Sequence, residues 1–241
     1  MTLTAQTRAV LFDLDGTLLD HDAARDAALL SMLSGARELT TEQELRYLQS
    51  WRKDSELLYE RYLAGELTFE QQRLHRILRF SEVAGLEVTN DDDAWAPFGQ
   101  YQRSYELNWR AFDDVAPTLA RLRDLEIPIA VVTNGPEAQQ NAKVTRLGLG
   151  GVPVIASGGL GFSKPDPRIF DFACQAVGQP AAGCLMVGDN PAADVIGAQE
   201  AGLGAVLLNR HRNTGDAHAH LPVITTLHDL FKQPPGVEWK L

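Results

Sequence analysis

The chain is poor in cysteine and has no long apolar run, and each absence narrows what it can be. Its 241 residues include two cysteines, Cys174 and Cys184, whose spacing fits no metal-ligand motif. We therefore expect reduced, buried thiols rather than a disulfide framework. No apolar stretch approaches the roughly 18 residues that a membrane-spanning helix needs, and residues 1–8 lack the apolar core of a signal peptide. A cytoplasmic protein without a membrane partner is the expectation.

Positive charge is also scarce. The sequence holds 22 lysine and arginine residues against 32 aspartate and glutamate residues, for a formal net charge of −10. This excess of negative charge disfavours a nucleic-acid backbone or an anionic membrane as the main partner. Composition is otherwise ordinary for a globular protein, so a chain of this length is expected to bury a substantial core. An acidic enzyme can still bind an anion locally through a metal ion or a few cationic side chains.

The most informative stretch is residues 9–16, an apolar run that ends in two carboxylates and a glycine. Four consecutive apolar residues before a turn predict a strand over residues 9–13 that is buried on both faces. Side chains alternate along a strand, so Asp13 and Asp15 are expected to point to the same side, and Gly16 permits a sharp turn. Paired acids at the carboxyl end of a parallel strand lie where open α/β sheets hold their ligands. Taken alone, an ordinary strand with a solvated Asp-Gly turn is the commoner explanation.

Residues 20–110 have a different pattern, with apolar residues at helical spacing among many charges. Capping boxes that begin at Thr41 and Thr68 mark two helix starts. The three aspartates at residues 91–93 are expected to complement the dipole at the start of another helix rather than to bind a metal. This region is therefore predicted to be an all-helical insertion.

From about residue 113 the pattern alternates between strands and helices. Strands are predicted at residues 127–132, 152–156, 184–187 and 204–208, and helices at residues 115–125, 136–147, 167–177 and 191–201. Such alternation predicts an α/β fold, a Rossmann-like parallel sheet with helices on both faces. Residues 1–19 and 111–241 are assigned to this discontinuous core domain, and residues 20–110 to the inserted helical domain.

The segment after the last of these strands gives little indication of structure. It contains His218 and His220, but no further metal ligand lies nearby in sequence. A solvated loop is the expectation there.

Polar residues stand at the ends of the strands that should face the ligand crevice. Thr133 and Asn134 end the second strand, Lys164 lies in the loop after the third, and Asp189 ends the fourth. Parallel strands bring their carboxyl ends to one edge of the sheet, so these groups are expected to meet Asp13 there. This agreement makes a functional role for the paired acids far more credible than their spacing alone does.

The ordered set of motifs resembles the haloacid dehalogenase superfamily. The matching segments are residues 13–17 for the first motif, residues 133–135 for the second, Lys164 before Pro165 for the third, and residues 188–190 with Asp194 for the fourth. The resemblance extends from about residue 8 to residue 210. The helical insertion is similar to the cap domain that the first subclass of this family places after the first motif.

The resemblance implies a magnesium-dependent phosphatase in which Asp13 is the nucleophile and forms an aspartyl-phosphate. Asp15 would protonate the leaving oxygen and then activate water. Lys164 would place a fixed positive charge beside the phosphate and the nucleophile. The implied Mg²⁺ ligands are Asp13, the backbone carbonyl of Asp15, and Asp189, and such oxygen ligands suit Mg²⁺ better than Zn²⁺.

The remaining motif residues are given supporting roles by the same resemblance. Thr133, Asn134 and the amide of Gly135 lie at a strand-to-helix turn that favours a phosphate, although Asn134 alone also fits a helix cap. Asn190 is interpreted as an N-cap. Asp194, one turn later, would support the site by a hydrogen bond or through a metal-bound water, with capping as the alternative.

Asp15 also separates the reactions of this superfamily, because dehalogenases lack an aspartate there and a halide leaving group needs no proton. The segment with Gln140 and Lys143 is most similar to nucleoside 5′-monophosphate and acylneuraminate phosphatases, and phosphoglycolate phosphatases lie close. We expect hydrolysis of a small phosphorylated metabolite such as a nucleoside 5′-monophosphate or a sugar phosphate. The alternatives are a phosphoglycolate phosphatase, a phosphomutase and, with less support, a dehalogenase or a non-catalytic binding protein.

Substrate identity is expected to depend on the helical insertion, because the core of the family contacts only the phosphate. Arg73 and Arg76 lie three residues apart on one predicted helix face and are candidates to contact an anionic or sugar-like group, as are Tyr59 and Tyr62. Solvated helix charges and core aromatics are the commoner roles of such residues. Neither a nucleic acid nor a membrane is expected as a partner, and the chain is expected to be a monomer or a homodimer.

Overall fold

A computed structural model of the chain describes residues 3–33, 39–210 and 220–232. Within these residues, six strands form one sheet in the order β3-β2-β1-β4-β5-β6, and every neighbouring pair is parallel. The strands are β1 (Ala9–Phe12), β2 (Ile129–Thr133), β3 (Val154–Ala156), β4 (Cys184–Gly188), β5 (Gly204–Leu208) and β6 (Val223–Ile224). The predicted α/β class is confirmed.

Helices occupy the segments between the strands and the long insertion after β1. The helices of the insertion are α1 (His21–Leu33), α2 (Thr41–Leu63), α3 (Phe69–Ala84) and α4 (Asp91–Leu107). Those that alternate with strands are α5 (Val115–Asp124), α6 (Glu137–Arg146), α7 (Pro167–Ala176) and α8 (Gly197–Glu200). A π-helical turn, Pro191–Ile196, leads directly into α8 where the sequence predicts one continuous helix. None of the helices among the described residues is long and apolar enough to cross a membrane.

The chain divides into two compact units. The core unit consists of Met1–His21 and Trp109–Leu241, and the helical unit consists of Asp22–Asn108. The predicted insertion, residues 20–110, differs from the helical unit at each end. Its assignment as a cap domain stays a prediction.

The core unit is built around β1, whose four residues are all fully buried. An apolar strand of this kind lies at the centre of a parallel sheet because helices cover both faces. β1 pairs with β2 on one side and β4 on the other, so the strand order reverses at β1. In open α/β sheets, ligands bind beyond the carboxyl ends of the strands at this reversal, which is where Asp13 follows β1.

The helical unit has its own core, in which aromatic rings from α2 and α3 pack edge to face. Trp51 and Phe80 have ring centroids 5.5 Å apart at an interplanar angle of 87°, a favourable geometry for aromatic pairs. The capping box predicted at Thr68 is confirmed, with Gln71 as its reciprocal partner. The one predicted at Thr41 is wrong by one residue, because Thr40 caps α2.

Three further expectations concern polar residues and the end of the chain. The aspartates at residues 91–93 form the first turn of α4, as expected for acids that complement a helix dipole. Both cysteines are buried and free. His220 is exposed, whereas His218 lies outside the described residues.

Strand β6 was not predicted, because two residues give no periodicity to detect. It is held to β5 by hydrogen bonds such as that from Asn209 N to Ile224 O, 2.8 Å.

Candidate active site

Asp13 lies immediately after β1 and is 6% exposed. Its backbone N donates a hydrogen bond to Val187 O at 2.9 Å. This bond continues the pairing of β1 with β4 by one residue and fixes the point from which the Asp13 side chain leaves the backbone. Its Oδ1 accepts a hydrogen bond from Lys164 Nζ at 2.6 Å, whereas its Oδ2 is buried without a partner among the described residues. Burial raises the pKa of Asp13 to about 7, although the positive charge of Lys164 acts in the opposite direction.

Lys164 is held on all three of its Nζ donors. In addition to Asp13, Nζ donates to Asp194 Oδ1 at 2.6 Å and to Val132 O at 2.9 Å. Burial lowers the pKa of Lys164, but the two carboxylates outweigh it and the net shift is upward. The ammonium is therefore charged throughout the physiological range.

Asn134 positions the main chain of Lys164 rather than capping a helix. Its Nδ2 donates to Lys164 O at 3.0 Å and its Oδ1 accepts from Lys164 N at 2.9 Å. No side-chain cap is formed at the start of α6, where Pro136 occupies the N-cap position. The sequence suggested a phosphate contact for Asn134, but both polar groups of its side chain are used to fix the Lys164 loop.

A cluster of three carboxylates lies at this end of the sheet. Asp13, Asp189 and Asp194 each place one carboxylate oxygen within 4.8 Å of those of the other two. Desolvation, followed by the negative charges of Asp13 and Asp194, raises the pKa of Asp189 to about 8. Gly16 adopts φ +89°, and a Cβ there would collide with the Asp189 carboxylate. Glycine is therefore required both for the turn and for the close approach of Asp189.

These residues fit a divalent cation. Oδ2 of Asp13 has no partner among the described residues, and neighbouring carboxylates add to burial in raising the pKa values of Asp13 and Asp189. All the donors are hard oxygens, which suits Mg²⁺. Asp194 is the least suited to ligate directly, since Oδ1 accepts from Lys164 Nζ and Oδ2 accepts from Asn190 N at 2.9 Å. Its place is consistent with the supporting role that the sequence suggested.

Asn190 is an N-cap, as the sequence predicted. Its Oδ1 accepts from Ala192 N at 3.0 Å and from Ala193 N at 2.9 Å. These bonds satisfy two of the free donors at the start of the π-helical turn. They thereby fix the turn from which Asp194 reaches Lys164.

Asp15 is held by a second set of side chains on α6. Lys143 Nζ lies 2.8 Å from Asp15 Oδ1 and 2.7 Å from Oδ2, and Gln140 Nε2 donates to Oδ2 at 3.1 Å. His21 Nδ1 is 3.7 Å from Oδ1. Burial raises the pKa of Asp15, but Lys143 and then His21 outweigh it, so the net shift is downward.

Lys143 and Gln140 have roles that sequence reasoning did not assign. The two residues lie three positions from each other on one face of α6, and both are buried. A lysine at a position where an amphipathic helix faces the core is a signal for a buried ion pair, because an unpaired buried charge is costly. The sequence does not reveal which carboxylate Lys143 meets.

The second motif is only partly available for a ligand. Thr133 Oγ1 is buried and accepts a hydrogen bond from Gln140 Nε2 at 2.6 Å. The amide of Gly135 donates to Ser157 Oγ at 3.0 Å. Phosphate binding by Thr133, Asn134 and Gly135 therefore stays a prediction.

The candidates in the helical unit fall into two groups. Tyr59 and Tyr62 pack ring against ring at 5.8 Å, and Tyr62 also meets Phe69, as expected for packing residues. Arg73 and Arg76 lie on one face of α3, as predicted, and neither is exposed.

The chain is similar in sequence to several known phosphatases. Glyceraldehyde 3-phosphate phosphatase of Methanothermobacter thermautotrophicus is 30% identical over 208 residues, which are 84% of this chain and 85% of that protein. Phosphoglycolate phosphatase of Pseudomonas fluorescens is 30% identical over 235 residues, 95% of this chain and 79% of that protein. Pyrimidine 5′-nucleotidase PynA of Streptococcus pneumoniae is 28% identical over 213 residues, 84% of each chain.

The fold is shared with a solved structure, the HAD-hydrolase YfnB of Bacillus subtilis bound to magnesium. The TM-score is 0.74 at 24% identity, over 93% of this chain and 97% of that one. A family model described as haloacid dehalogenase-like hydrolase matches residues 7–202. The predicted resemblance and the assignment as a hydrolase of phosphoric monoesters are confirmed by these matches. The chain belongs to the haloacid dehalogenase-like hydrolase family.

Proposed function

We propose that this chain is a magnesium-dependent phosphatase that hydrolyses a small phosphorylated metabolite through an aspartyl-phosphate on Asp13. The observation that carries the proposal is the setting of Asp13. One oxygen is fixed by Lys164 at 2.6 Å, the other is buried without a partner among the described residues, and Asp189 and Asp194 lie beside it. A buried carboxylate that is oriented but only half satisfied is poised to react.

In the first half of the reaction, a carboxylate oxygen of Asp13 forms a bond to phosphorus and the bond from phosphorus to the ester oxygen breaks. The approach of a carboxylate to a phosphate dianion is opposed by about 4 kcal/mol per charge pair at 4 Å in an effective dielectric of 20. Lys164 opposes this repulsion because its ammonium is fixed and charged. Magnesium, held by Asp13, Asp189 and the carbonyl of Asp15, supplies further positive charge when bound.

Asp15 moves the protons. It gives a proton to the departing ester oxygen, and its carboxylate then takes one from the water that hydrolyses the aspartyl-phosphate. Because Lys143 keeps the pKa of Asp15 low, the carboxylate form needed for the second half predominates at rest. Esters with good leaving groups, which need less protonation, are therefore expected to react fastest in the first half.

The substrate is a small phosphorylated metabolite, and the relatives indicate the range. Those that align over most of the chain act on glyceraldehyde 3-phosphate, phosphoglycolate and pyrimidine nucleotides, by their names. We infer the same general class here, with nucleoside 5′-monophosphates, sugar phosphates and phosphoglycolate as the compounds to compare. A cytoplasmic location fits such substrates and stays a prediction.

Release of phosphate from p-nitrophenyl phosphate, with and without Mg²⁺, tests the proposal. We expect magnesium-dependent release by the wild-type protein and none by Asp13→Asn. The matched control is Asp171→Asn, which alters an exposed carboxylate on α7 and is expected to keep the wild-type rate. Activity that survives in Asp13→Asn would contradict the proposed nucleophile, and a wild-type protein with no activity on aryl or metabolite phosphates would contradict the function.

A further inference from the structure

Arg210 follows β5 in the core unit and binds the turn that carries Asp15. Its Nη2 donates a hydrogen bond to Thr17 O at 2.8 Å, across 193 positions of the chain. Thr17 is fully buried, and the side chain of Arg210 is only 12% exposed. A buried carbonyl needs a donor, because an unsatisfied one is costly. This bond therefore joins the end of β5 to the first motif, although sequence reasoning assigned no role to Arg210.

The guanidinium of Arg210 is fixed by two further contacts. Nη1 donates to Asp114 Oδ2 and Nη2 to Asp114 Oδ1, both at 2.9 Å, which is the two-bond geometry that arginine forms with a carboxylate. Its Cζ also lies 3.8 Å from the centroid of the Phe112 ring. Burial raises the pKa of Asp114, but hydrogen bonds, first those from Arg210, outweigh it and the net shift is downward. The pair is therefore ionic at neutral pH, and Arg210 meets Thr17 as a rigid donor.

Asp114 has a second task, which does not involve Arg210. Its Oδ2 accepts hydrogen bonds from Thr226 Oγ1 at 2.7 Å and from Leu227 N at 2.8 Å. These bonds attach the 3₁₀ turn Leu227–Phe231 to the start of α5. Loss of the Thr226 bond therefore loosens the same carboxylate without removing a donor to the first motif.

The turn that Arg210 holds, residues 14–19, is closed on itself. Three backbone N–H groups donate to Leu14 O, those of Thr17, Leu18 and Leu19 at 3.3, 2.9 and 2.8 Å. Asp15 lies inside this closed turn, two residues before Thr17. An anchor at Thr17 O therefore also fixes the backbone from which the Asp15 side chain extends.

We propose that Arg210 is a positioning residue for Asp15 in the transfer of a proton to the departing ester oxygen. Lys143 holds the carboxylate of Asp15 from α6, and Arg210 holds its backbone from the end of β5. Proton transfer requires the two oxygens to lie within hydrogen-bond reach, so a small displacement of Asp15 slows it strongly. This inference rests on the proposed function and adds to it a residue outside the four motifs.

Two aryl phosphates of similar shape test the inference. Phenolate is a more basic leaving group than p-nitrophenolate, so phenyl phosphate depends more on protonation by Asp15 than p-nitrophenyl phosphate does. The value of kcat/KM reports formation of the aspartyl-phosphate, the step in which the ester oxygen departs. For Arg210→Met, which keeps an apolar side chain against Phe112 and removes the donors, we expect kcat/KM for phenyl phosphate to fall by about 10-fold to 100-fold. The value for p-nitrophenyl phosphate should fall much less, so that the ratio of the two changes by about 10-fold.

Three further variants accompany Arg210→Met. Arg210→Lys keeps the charge but cannot bind Asp114 and Thr17 with a fork, and it should change the ratio in the same direction by a smaller factor. Thr226→Val removes one bond to Asp114 and leaves Arg210 in place, so it should melt lower than the wild-type protein and keep the wild-type ratio. Arg121→Met removes another arginine that lies over an aromatic ring, that of Phe231 at 4.2 Å, and it should also keep the wild-type ratio.

A purely structural role of Arg210 would give a different result. Loss of folded protein lowers kcat/KM for both phosphates by the same factor, so an unchanged ratio in Arg210→Met would overturn the inference whatever its melting temperature. The same criterion applies to Arg210→Lys if Arg210→Met does not fold. An equal change of the ratio in Thr226→Val would also overturn it, because that variant keeps the bond to Thr17. Failure of the proposed function itself looks different, because the wild-type protein would then hydrolyse neither phosphate.

Discussion

Lys143 Nζ lies 2.8 Å and 2.7 Å from the two carboxylate oxygens of Asp15, 128 positions apart in the chain. Gln140 adds a third hydrogen bond to the same carboxylate and also holds Thr133. One face of α6 thus orients the proposed acid/base and ties it to the second motif. We infer that Lys143 is a positioning residue for Asp15, and that it keeps the carboxylate ionised.

Replacement of Lys143 by methionine is expected to shift the pH dependence of turnover. Lys143 lowers the pKa of Asp15, so its removal raises that pKa. Hydrolysis of the aspartyl-phosphate needs the carboxylate form, and the acid limb of kcat for p-nitrophenyl phosphate should therefore move to higher pH. Arg146→Met, an exposed position on the same helix, is the control. Coincident acid limbs for Lys143→Met and wild type would exclude the positioning role.

Asp15→Asn is expected to slow turnover by about 10²-fold to 10⁴-fold without loss of the fold. With p-nitrophenyl phosphate, the good leaving group still departs while the water is no longer activated. We therefore expect a burst of p-nitrophenolate that is stoichiometric with protein, and a phosphoryl adduct on Asp13 in the intact mass. Asp13→Asn should show neither. An unchanged steady-state rate for Asp15→Asn would refute its assignment.

Stability without metal is expected to fall as the pH rises. The pKa values of Asp13 and Asp189 lie at about 7 and about 8 in the fold, above their ordinary value of 3.8. The folded protein therefore binds protons that the unfolded chain has released, and its free energy of unfolding decreases between about pH 4 and pH 8. Mg²⁺ compensates these charges. The increase in melting temperature on addition of Mg²⁺ to EDTA-treated protein should be larger at pH 8 than at pH 5.5, and an equal increase at both would contradict the metal site.

Gly16→Ala is expected to weaken the response to magnesium as well as the fold. A residue with a side chain at φ +89° costs about 1–2 kcal/mol, and its Cβ would also displace Asp189. Gly148→Ala is a matched control, because Gly148 has φ +76° and open space around its Cβ position. Both variants should melt lower than wild type, but only Gly16→Ala should need more Mg²⁺ for half-maximal activity. A similar Mg²⁺ requirement for the two would place Asp189 outside the metal site.

The fold was readable from the sequence where local patterns are strong. β5 was predicted with the bounds that the structure shows, and β1 within one residue, because buried strands in a parallel sheet are continuous apolar runs. The short β6 was not predicted, since it is defined by pairing to β5 and not by its own residues. The shift of the α2 cap from Thr41 to Thr40 has a similar cause, because adjacent threonines offer the same hydroxyl and only the helix geometry selects one.

The sequence by itself determined the class of chemistry, because Asp13, Asp15, Lys164 and Asp189 each follow a strand or stand in a loop that must reach the same edge of a parallel sheet. Only the tertiary structure decided which polar and charged groups pair with one another. It pairs both polar groups of the Asn134 side chain with the Lys164 main chain, and Asp15 with Lys143. Strand ends are fixed by local pattern, whereas the partner of a buried charge depends on residues distant in the chain that meet only when helices pack.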